Sequence, residues 1–250
     1  MELREFFEEY PEVAIAFSGG VDSAYLLYAA VKYAKRTTAY FIKMQFCPEF
    51  ELNDAKKLAG ELNVDFKIIE TDVLQNKQIC MNDKKRCYYC KKLIMETIKE
   101  EAKKDGYDVV LDGTNASDDI GDRPGMRALN ELRILSPLKI CGLTKDKIRL
   151  LSKEANLFTE SKPAYACLAT RIPSGVYIDN ALLVKTEKAE EYLHSLGFSD
   201  FRIRYYNKNA KIELKENQFS LLMEKRKDIL DTLKQYYEGV FLDLEGRDER

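Results

Sequence analysis

The segment Ser18-Gly19-Gly20-Val21-Asp22-Ser23 holds the residue types of an anion cradle. Two glycines permit tight backbone geometry and close approach of an anion. An apolar run, EVAIAF (12–17), precedes it and reads as a buried strand. After it, Ala24, Leu27, Ala30, Val31 and Ala34 recur at helical spacing. The loop therefore opens a helix, where free N–H groups and the dipole favour phosphate. Ser18 and Ser23 supply hydroxyl donors. A carboxylate cannot bind phosphate directly, so Asp22 reads as a holder of Mg2+ bridging the phosphates. The loop lacks the Gly-Lys-Ser/Thr end of a Walker A loop and is not GxGxxG. The competing reading is a tight strand-to-helix turn with a serine cap.

Cysteines form the second constellation. Cys87 and Cys90 make a CxxC pair, and Cys167 follows far downstream. A structural zinc site wants four ligands, usually two such pairs, and only one pair exists. Three thiolates suit a [4Fe-4S] cluster with one iron not held by protein, open to a substrate or an extra sulfide. Spacing alone leaves a redox dithiol or two core thiols equally open. Arg86, Lys91 and Lys92 flank the pair, a setting that suits reactive or ligating cysteines over inert ones. Cys47, Cys80 and Cys141 stand alone and read as small apolar fillers.

The elements that must position these groups alternate. AYFIKMQF (39–46) and VDFKII (64–69) read as strands, separated by a helix capped by Asn53 or Asp54. A helix over about 89–103 leads to a strand at DVVL (108–111). Strands alternating with helices imply an α/β fold with a doubly wound parallel sheet. Past residue 160 the rhythm changes. SKPAYACLATRIPSG (161–175) lacks periodicity and reads as a function-carrying linker. Beyond it come a helix (180–196), a hairpin (201–206 with 210–214), a helix (217–236) and a last strand (239–244), a small α+β domain. The expected division is 1–160, a linker 161–175 carrying Cys167, and 176–250.

Composition narrows the options. In 250 residues, 40 Lys and Arg against 42 Asp and Glu leave a net charge of −2, which argues against broad capture of nucleic acid. No apolar run approaches the ~18 residues a membrane span needs. MELREFFEEY lacks an apolar signal segment, and six cysteines are too sparse for a disulfide scaffold, so a reduced, cytoplasmic setting is expected. A single histidine, His194, nearly excludes Ser-His-Asp hydrolysis and His-rich zinc chemistry.

SGGVDS after a strand resembles the PP-loop ATP pyrophosphatase superfamily, whose members cleave ATP between the α and β phosphates and adenylate a substrate oxygen. RCYYCKK (86–92), DGTNASDD (112–119), GDRPGMRAL (121–129), ACLATRIPSG (166–175), FRIRYY with AKIEL, and GVFLDLEG (239–246) follow in order. Together they resemble the LarE family of ATP-dependent sulfur transferases of nickel-pincer nucleotide biosynthesis, over nearly the whole chain. The resemblance implies adenylation of the carboxylates of pyridinium-3,5-biscarboxylic acid mononucleotide and their conversion to thiocarboxylates. One version of the family sacrifices a cysteine at the position of Cys167. The other holds a [4Fe-4S] cluster on three cysteines, which Cys87, Cys90 and Cys167 match, and needs sulfide or a sulfur donor.

Carried residue by residue, the resemblance assigns Ala16, Met44 and Gly113 to adenine and ribose contacts, strand core being the alternative for the first two. Gly113, Thr114 and Asn115 follow a strand end and would line the nucleotide site. Arg123, beside Asp119, would meet departing pyrophosphate, or form a surface ion pair. Arg171 would meet phosphate or AMP. Arg202 and Arg204, two apart on a strand, share one face and suit a substrate phosphate. Glu190 matches an acidic position near the substrate, against the alternative of a solvated helix charge. LarE-like proteins form homo-oligomers, hexamers in the best-known case. The charged end EGRDER (245–250) departs from the longer glycine- and serine-containing ending of many relatives. Competing functions are tRNA thiolation, a nucleotide sensor with redox cysteines, and an ammonia-using synthetase of the NAD or GMP type, which leaves the CxxC unexplained.

Overall fold

The computed structural model describes residues 1–118 and 124–247. The chain divides into two units, Met1–Val73 with Lys84–Tyr165 and Leu74–Asp83 with Ala166–Arg250. It begins with α1 (Leu3–Glu9), β1 (Glu12–Ala16), α2 (Val21–Tyr33), β2 (Arg36–Lys43), α3 (Glu49–Glu61) and β3 (Asp65–Glu70). A short helix, α4 (Lys77–Cys80), belongs to the second unit. The first unit resumes with α5 (Arg86–Lys104), β4 (Val110–Leu111), α6 (Pro124–Glu131), α7 (Pro137–Ile140) and α8 (Lys145–Glu154).

The strands of the first unit pair in parallel in the order β3-β2-β1-β4. After the exposed Glu12, β1 is apolar from Val13 to Ala16, and the packing explains why. Val13 and Ile15 face a cluster with Phe6, Phe7, Leu26, Leu27 and Leu58. Ala14 faces the opposite way, onto Met95, Ile98 and Ala102 of α5. A strand covered on both faces needs apolar side chains at every position. Each fully buried Phe or Leu contributes about 1.5–3 kcal/mol. The connections from β1 to β2 to β3 lie on one face, and α5 returns along the other, so the sheet is doubly wound. The switch between the two windings falls at the carboxyl ends of β1 and β4, the crevice where open α/β sheets bind ligands.

The second unit continues with α9 (Asn180–Ser195), β5 (Arg202–Tyr206), β6 (Asn209–Glu213), α10 (Phe219–Glu224), α11 (Arg226–Leu233) and β7 (Val240–Leu242). Its sheet runs β5-β6-β7, antiparallel then parallel. Asn207 and Lys208 make the β5–β6 turn with φ of 45° and 66°. Two positive values match the twist of a two-residue hairpin. Leu193, Phe198, Phe201, Ile203, Ile212, Leu222, Ile229 and Leu233 form the core. None of the described helices is long and apolar enough to cross a membrane.

Several boundaries differ from the sequence expectation. β2 runs over Arg36–Lys43, so Met44 lies just past its end. α3 starts after Pro48 rather than at Asn53 or Asp54. Glu49 and Glu51 in its first turn complement the dipole, and Lys43 Nζ meets Glu49 Oε2 at 2.8 Å. α5 begins three residues early, which places both cysteines of the CxxC in its opening turns. The helix expected over 217–236 is a 3₁₀ turn followed by α10 and α11, broken at Lys225. The break lets Leu222 and Ile229 enter one core. The segment read as a function-carrying linker without periodicity holds a 3₁₀ turn, Leu168–Arg171, with Arg171 only 1% exposed.

Candidate functional site

The first unit gathers its polar groups at the ends of β1 and β4. Ser23 Oγ donates to Gly20 O at 3.1 Å, accepts from Ser18 N at 3.3 Å and lies 3.1 Å from Ser18 Oγ. These bonds curl the loop over the start of α2. Gly19 takes φ of 75°, a conformation that favours glycine. Gly113 is required for a different reason. A Cβ there would lie 2.9 Å from Ser23 N and 3.0 Å from Ser23 Cα, so only glycine lets the end of β4 touch the start of α2.

Asp22 is the chemically telling residue. Its Oδ2 accepts from Lys145 Nζ at 2.6 Å. Its Oδ1 is buried without a hydrogen-bond partner. Burying an unpaired carboxylate oxygen is costly, and a bound divalent cation would remove the cost. The residues therefore fit Mg2+. The adjoining loop is ordered by its own side chains. Asp112, 3% exposed, accepts from Thr114 Oγ1 at 2.7 Å and Ser136 Oγ at 2.6 Å. Asn115, 4% exposed, accepts from Ser117 N at 2.8 Å, and Ser117 Oγ accepts from Lys145 N at 2.9 Å. Ala16 closes β1, and Ala16 and Met44 are half-buried against the α5-side core, at once core and strand end.

Sequence reading missed Lys145 and Lys162 here, and saw Lys91 only as a flank of the CxxC pair. Lys145 follows the N-cap Thr144 of α8, whose side chain accepts from Lys147 N. That cap was a legible helix start, but its reach to Asp22 was not. Lys162 Nζ pairs with Asp54 at 2.6 Å and donates to Gly19 O at 3.3 Å. Lys91, four residues after Cys87, reaches Asp112 Oδ2 at 3.4 Å. That ion pair ties the CxxC helix to the loop that follows β4. Cys87 is exposed and Cys90 partly exposed, with Arg86 Nη2 3.6 Å from Cys87 Sγ. By contrast Cys47 and Cys141 pack against the core, and Cys80 is buried with Sγ 3.3 Å from Leu74 O. Burial pushes the Cys141 thiol up from its ordinary range.

In the second unit, exposed Cys167 opens the 3₁₀ turn that Arg171 closes. Arg171 donates from Nε to Glu190 Oε1 at 2.6 Å and from Nη2 to Oε2 at 3.1 Å. Its Nη1 donates to Ala166 O at 3.0 Å and Thr170 Oγ1 at 2.8 Å. Glu190 is 4% exposed, which overturns the solvated-charge alternative. Its Oε1 also accepts from Ile203 N at 3.0 Å. Arg204 grips Glu213 with Nε, 2.7 Å from each carboxylate oxygen, and donates to Thr170 O at 2.8 Å. Arg202, 6% exposed, donates to Phe201 O at 2.6 Å. The unit thus brings Cys167, Arg171, Glu190 and Arg204 into one bonded network. Cys87 and Cys90 belong to the first unit. Among the described residues, no three or more His, Cys, Asp or Glu side chains stand together as a ready metal site. Asp119 and Arg123 lie outside the described residues.

The family model of the queuosine biosynthesis protein QueC matches residues 12–100, which span the PP-loop and the CxxC. An uncharacterized protein of Methanocaldococcus jannaschii is 35% identical over 97% of this chain and 93% of its own length. An uncharacterized protein of a Synechocystis species is 34% identical over 98% of this chain and 92% of its own. The pyridinium-3,5-bisthiocarboxylic acid mononucleotide synthase of Lactiplantibacillus plantarum is 32% identical over 84% of this chain and 76% of its own. With SGGVDS at the switch point of a parallel sheet and this relative covering most of both chains, the protein belongs to the LarE-like family of PP-loop proteins.

Proposed function

We propose that the protein is an ATP-dependent sulfur transferase that converts the carboxylates of pyridinium-3,5-biscarboxylic acid mononucleotide to thiocarboxylates. The observation that carries this reading is the Lys91–Asp112 pair, which couples the thiol-bearing helix to the nucleotide loop. The name of the Lactiplantibacillus plantarum relative supplies the substrate class. In the proposed cycle a substrate carboxylate oxygen attacks the α-phosphorus of ATP, and pyrophosphate leaves. Sulfide then forms a C–S bond at the acyl carbon, and AMP departs with the electron pair of the broken C–O bond. A second round treats the other carboxylate.

Ser18, Gly19, Gly20 and Ser23 cradle the phosphates, and Asp22 Oδ1 would hold Mg2+, which would supply positive charge against them. Lys145 sits on Asp22 and meets the leaving pyrophosphate. Ala16 and Met44 flank the adenine; Gly113, Thr114 and Asn115 line the ribose. Arg123 is assigned to pyrophosphate. In the second unit, the substrate-binding and oligomerisation part of the proposal, Arg202 and Arg204 receive the substrate phosphate. Arg171 and Glu190 hold the Cys167 turn. Cys87, Cys90 and Cys167 are accessible soft donors that would hold a [4Fe-4S] cluster, which would supply sulfide to the activated carboxylate.

Anaerobic reconstitution tests the cluster. Wild type should bind about four irons per chain, and Cys87→Ala, Cys90→Ala and Cys167→Ala should each lose iron and turnover. An iron-free wild type would remove the cluster from the account. Loss of turnover in Cys167→Ala alone would favour sacrifice of that cysteine.

A further inference from the structure

The Lys162 side chain is 14% exposed, and its ammonium meets three groups of the first unit. Nζ pairs with Asp54 Oδ2 at 2.6 Å, donates to the carbonyl of Gly19 at 3.3 Å and lies 5.5 Å from the centre of the Phe50 ring. The backbone that presents it is held in turn. Lys162 N donates to Thr159 O at 3.1 Å, and Arg149 of α8 donates from Nη2 to Lys162 O at 3.1 Å and from Nη1 to Glu160 O. Asp54 lies on α3, which also backs the loop, since a Cβ on Gly19 would stand 3.2 Å from Glu51 O. A lysine drawn this far out of water needs partners for its charge, and one of the three is the backbone of the anion loop itself.

That carbonyl belongs to the peptide joining the two glycines. In a trans peptide the C=O and N–H point in opposite directions. Fixing Gly19 O on Lys162 therefore fixes the Gly20 N–H away from Lys162. Among the described residues that N–H has no hydrogen-bond partner, and Lys162 is the sole partner of the Gly19 carbonyl. The following peptide is anchored differently, since Gly20 O accepts from Ala24 N at 2.9 Å and Ser23 Oγ at 3.1 Å. Turning the first peptide over changes only ψ of Gly19 and φ of Gly20, and neither residue has a Cβ to resist. Turned over, it would present a carbonyl oxygen to an anion in place of an N–H. We propose that Lys162 is a positioning residue of the anion loop: oriented by Asp54, it pins the Gly19 carbonyl and so keeps the Gly20 N–H turned toward the phosphates. The inference rests on the reading that residues 18–23 take the phosphates of ATP.

The test is calorimetric titration of the full chain with Mg2+ and an ATP analogue whose α–β bridging oxygen is a methylene, so that binding is read without turnover. Lys162→Met keeps the stem and removes the anchor, and should weaken binding about tenfold. Lys162→Arg keeps a charged donor and should recover most of that loss. Asp54→Asn leaves Lys162 without its ionic partner and should weaken binding about threefold. The double variant, Lys162→Met with Asp54→Asn, should bind as weakly as Lys162→Met alone, because Asp54 acts through the lysine. A lysine acting only through its charge would give tighter binding in Asp54→Asn and near wild-type binding in the double variant. A lysine gripping the phosphates directly would also tighten binding in Asp54→Asn, and either result overturns the pinning role. A merely structural role would leave Lys162→Arg no better than Lys162→Met, with binding and melting temperature falling together, and overturns it too. Should Lys162→Met fail to fold, Asp54→Asn alone decides: weaker binding supports the proposal, and equal or tighter binding overturns it. Equal binding in wild type and all variants would overturn the role of Lys162 and leave the ATP reading intact. No binding by wild type would overturn that reading and this inference with it.

Discussion

Gly113 shows how much a single missing side chain can carry. The end of β4 meets the start of α2 with no room for a methyl group, since the nearest neighbours are backbone atoms that cannot swing aside. Gly113→Ala should force the two apart at a cost of about 1–3 kcal/mol. It should also weaken ATP binding, because the serine bonds that shape the cradle lie on the displaced side. Thermal unfolding and ATP titration of the variant check both parts. The residues flanking this contact were legible from type and order alone: two glycines, two serines and an aspartate between a strand and a helix. Lys145 was not. A lysine at a helix start is ordinary, and only the fold brings it 2.6 Å from Asp22. The burial of Glu190 against Arg171 was not legible either, since periodicity cannot say which helix face meets an arginine.

At the scale of elements, the Cys167 turn depends on the buried Arg171–Glu190 pair joining it to α9, with side chains 1% and 5% exposed. Removing one partner of such a pair leaves a charge in a dry site. Glu190→Ala should destabilise the protein by about 3–5 kcal/mol; denaturant unfolding gives the measurement. α5 is pinned near both ends, by Lys91 on Asp112 and by Asp105, which meets Lys67 Nζ at 2.6 Å and the Tyr40 hydroxyl at 2.5 Å. The hydrogen bond from Lys67, then that from Tyr40, holds the Asp105 carboxyl below the usual range. A lowered carboxyl pKa stabilises the fold above the unfolded value and loses that stabilisation as pH falls through the folded one. Asp105→Asn should therefore lower Tm at pH 7, and its gap from wild type should close below about pH 4. Melting curves across that range decide it. α5 was legible because its apolar spacing is long and regular. The start of α3 was not, because acidic residues after Pro48 can begin a helix as well as a capping asparagine.

For the whole molecule, the parallel sheet was legible because strands covered on both faces leave continuous apolar runs between amphipathic helices. The membership of Leu74–Asp83 in the second unit was not, since so short a segment has no periodicity and its bonds run to residues near 175. In the proposed function this architecture serves one chemistry: the chain activates a carboxylate with ATP and replaces its oxygen with sulfur. An anaerobic reaction of the reconstituted protein with the biscarboxylate nucleotide, MgATP and sulfide, read by product mass, tests it most directly. The account predicts AMP and pyrophosphate in equal amounts and a product about 16 Da heavier for each oxygen exchanged for sulfur, abolished in Asp22→Asn, which loses the Mg2+ ligand. Substrate recovered at its original mass, with ATP intact, would contradict it.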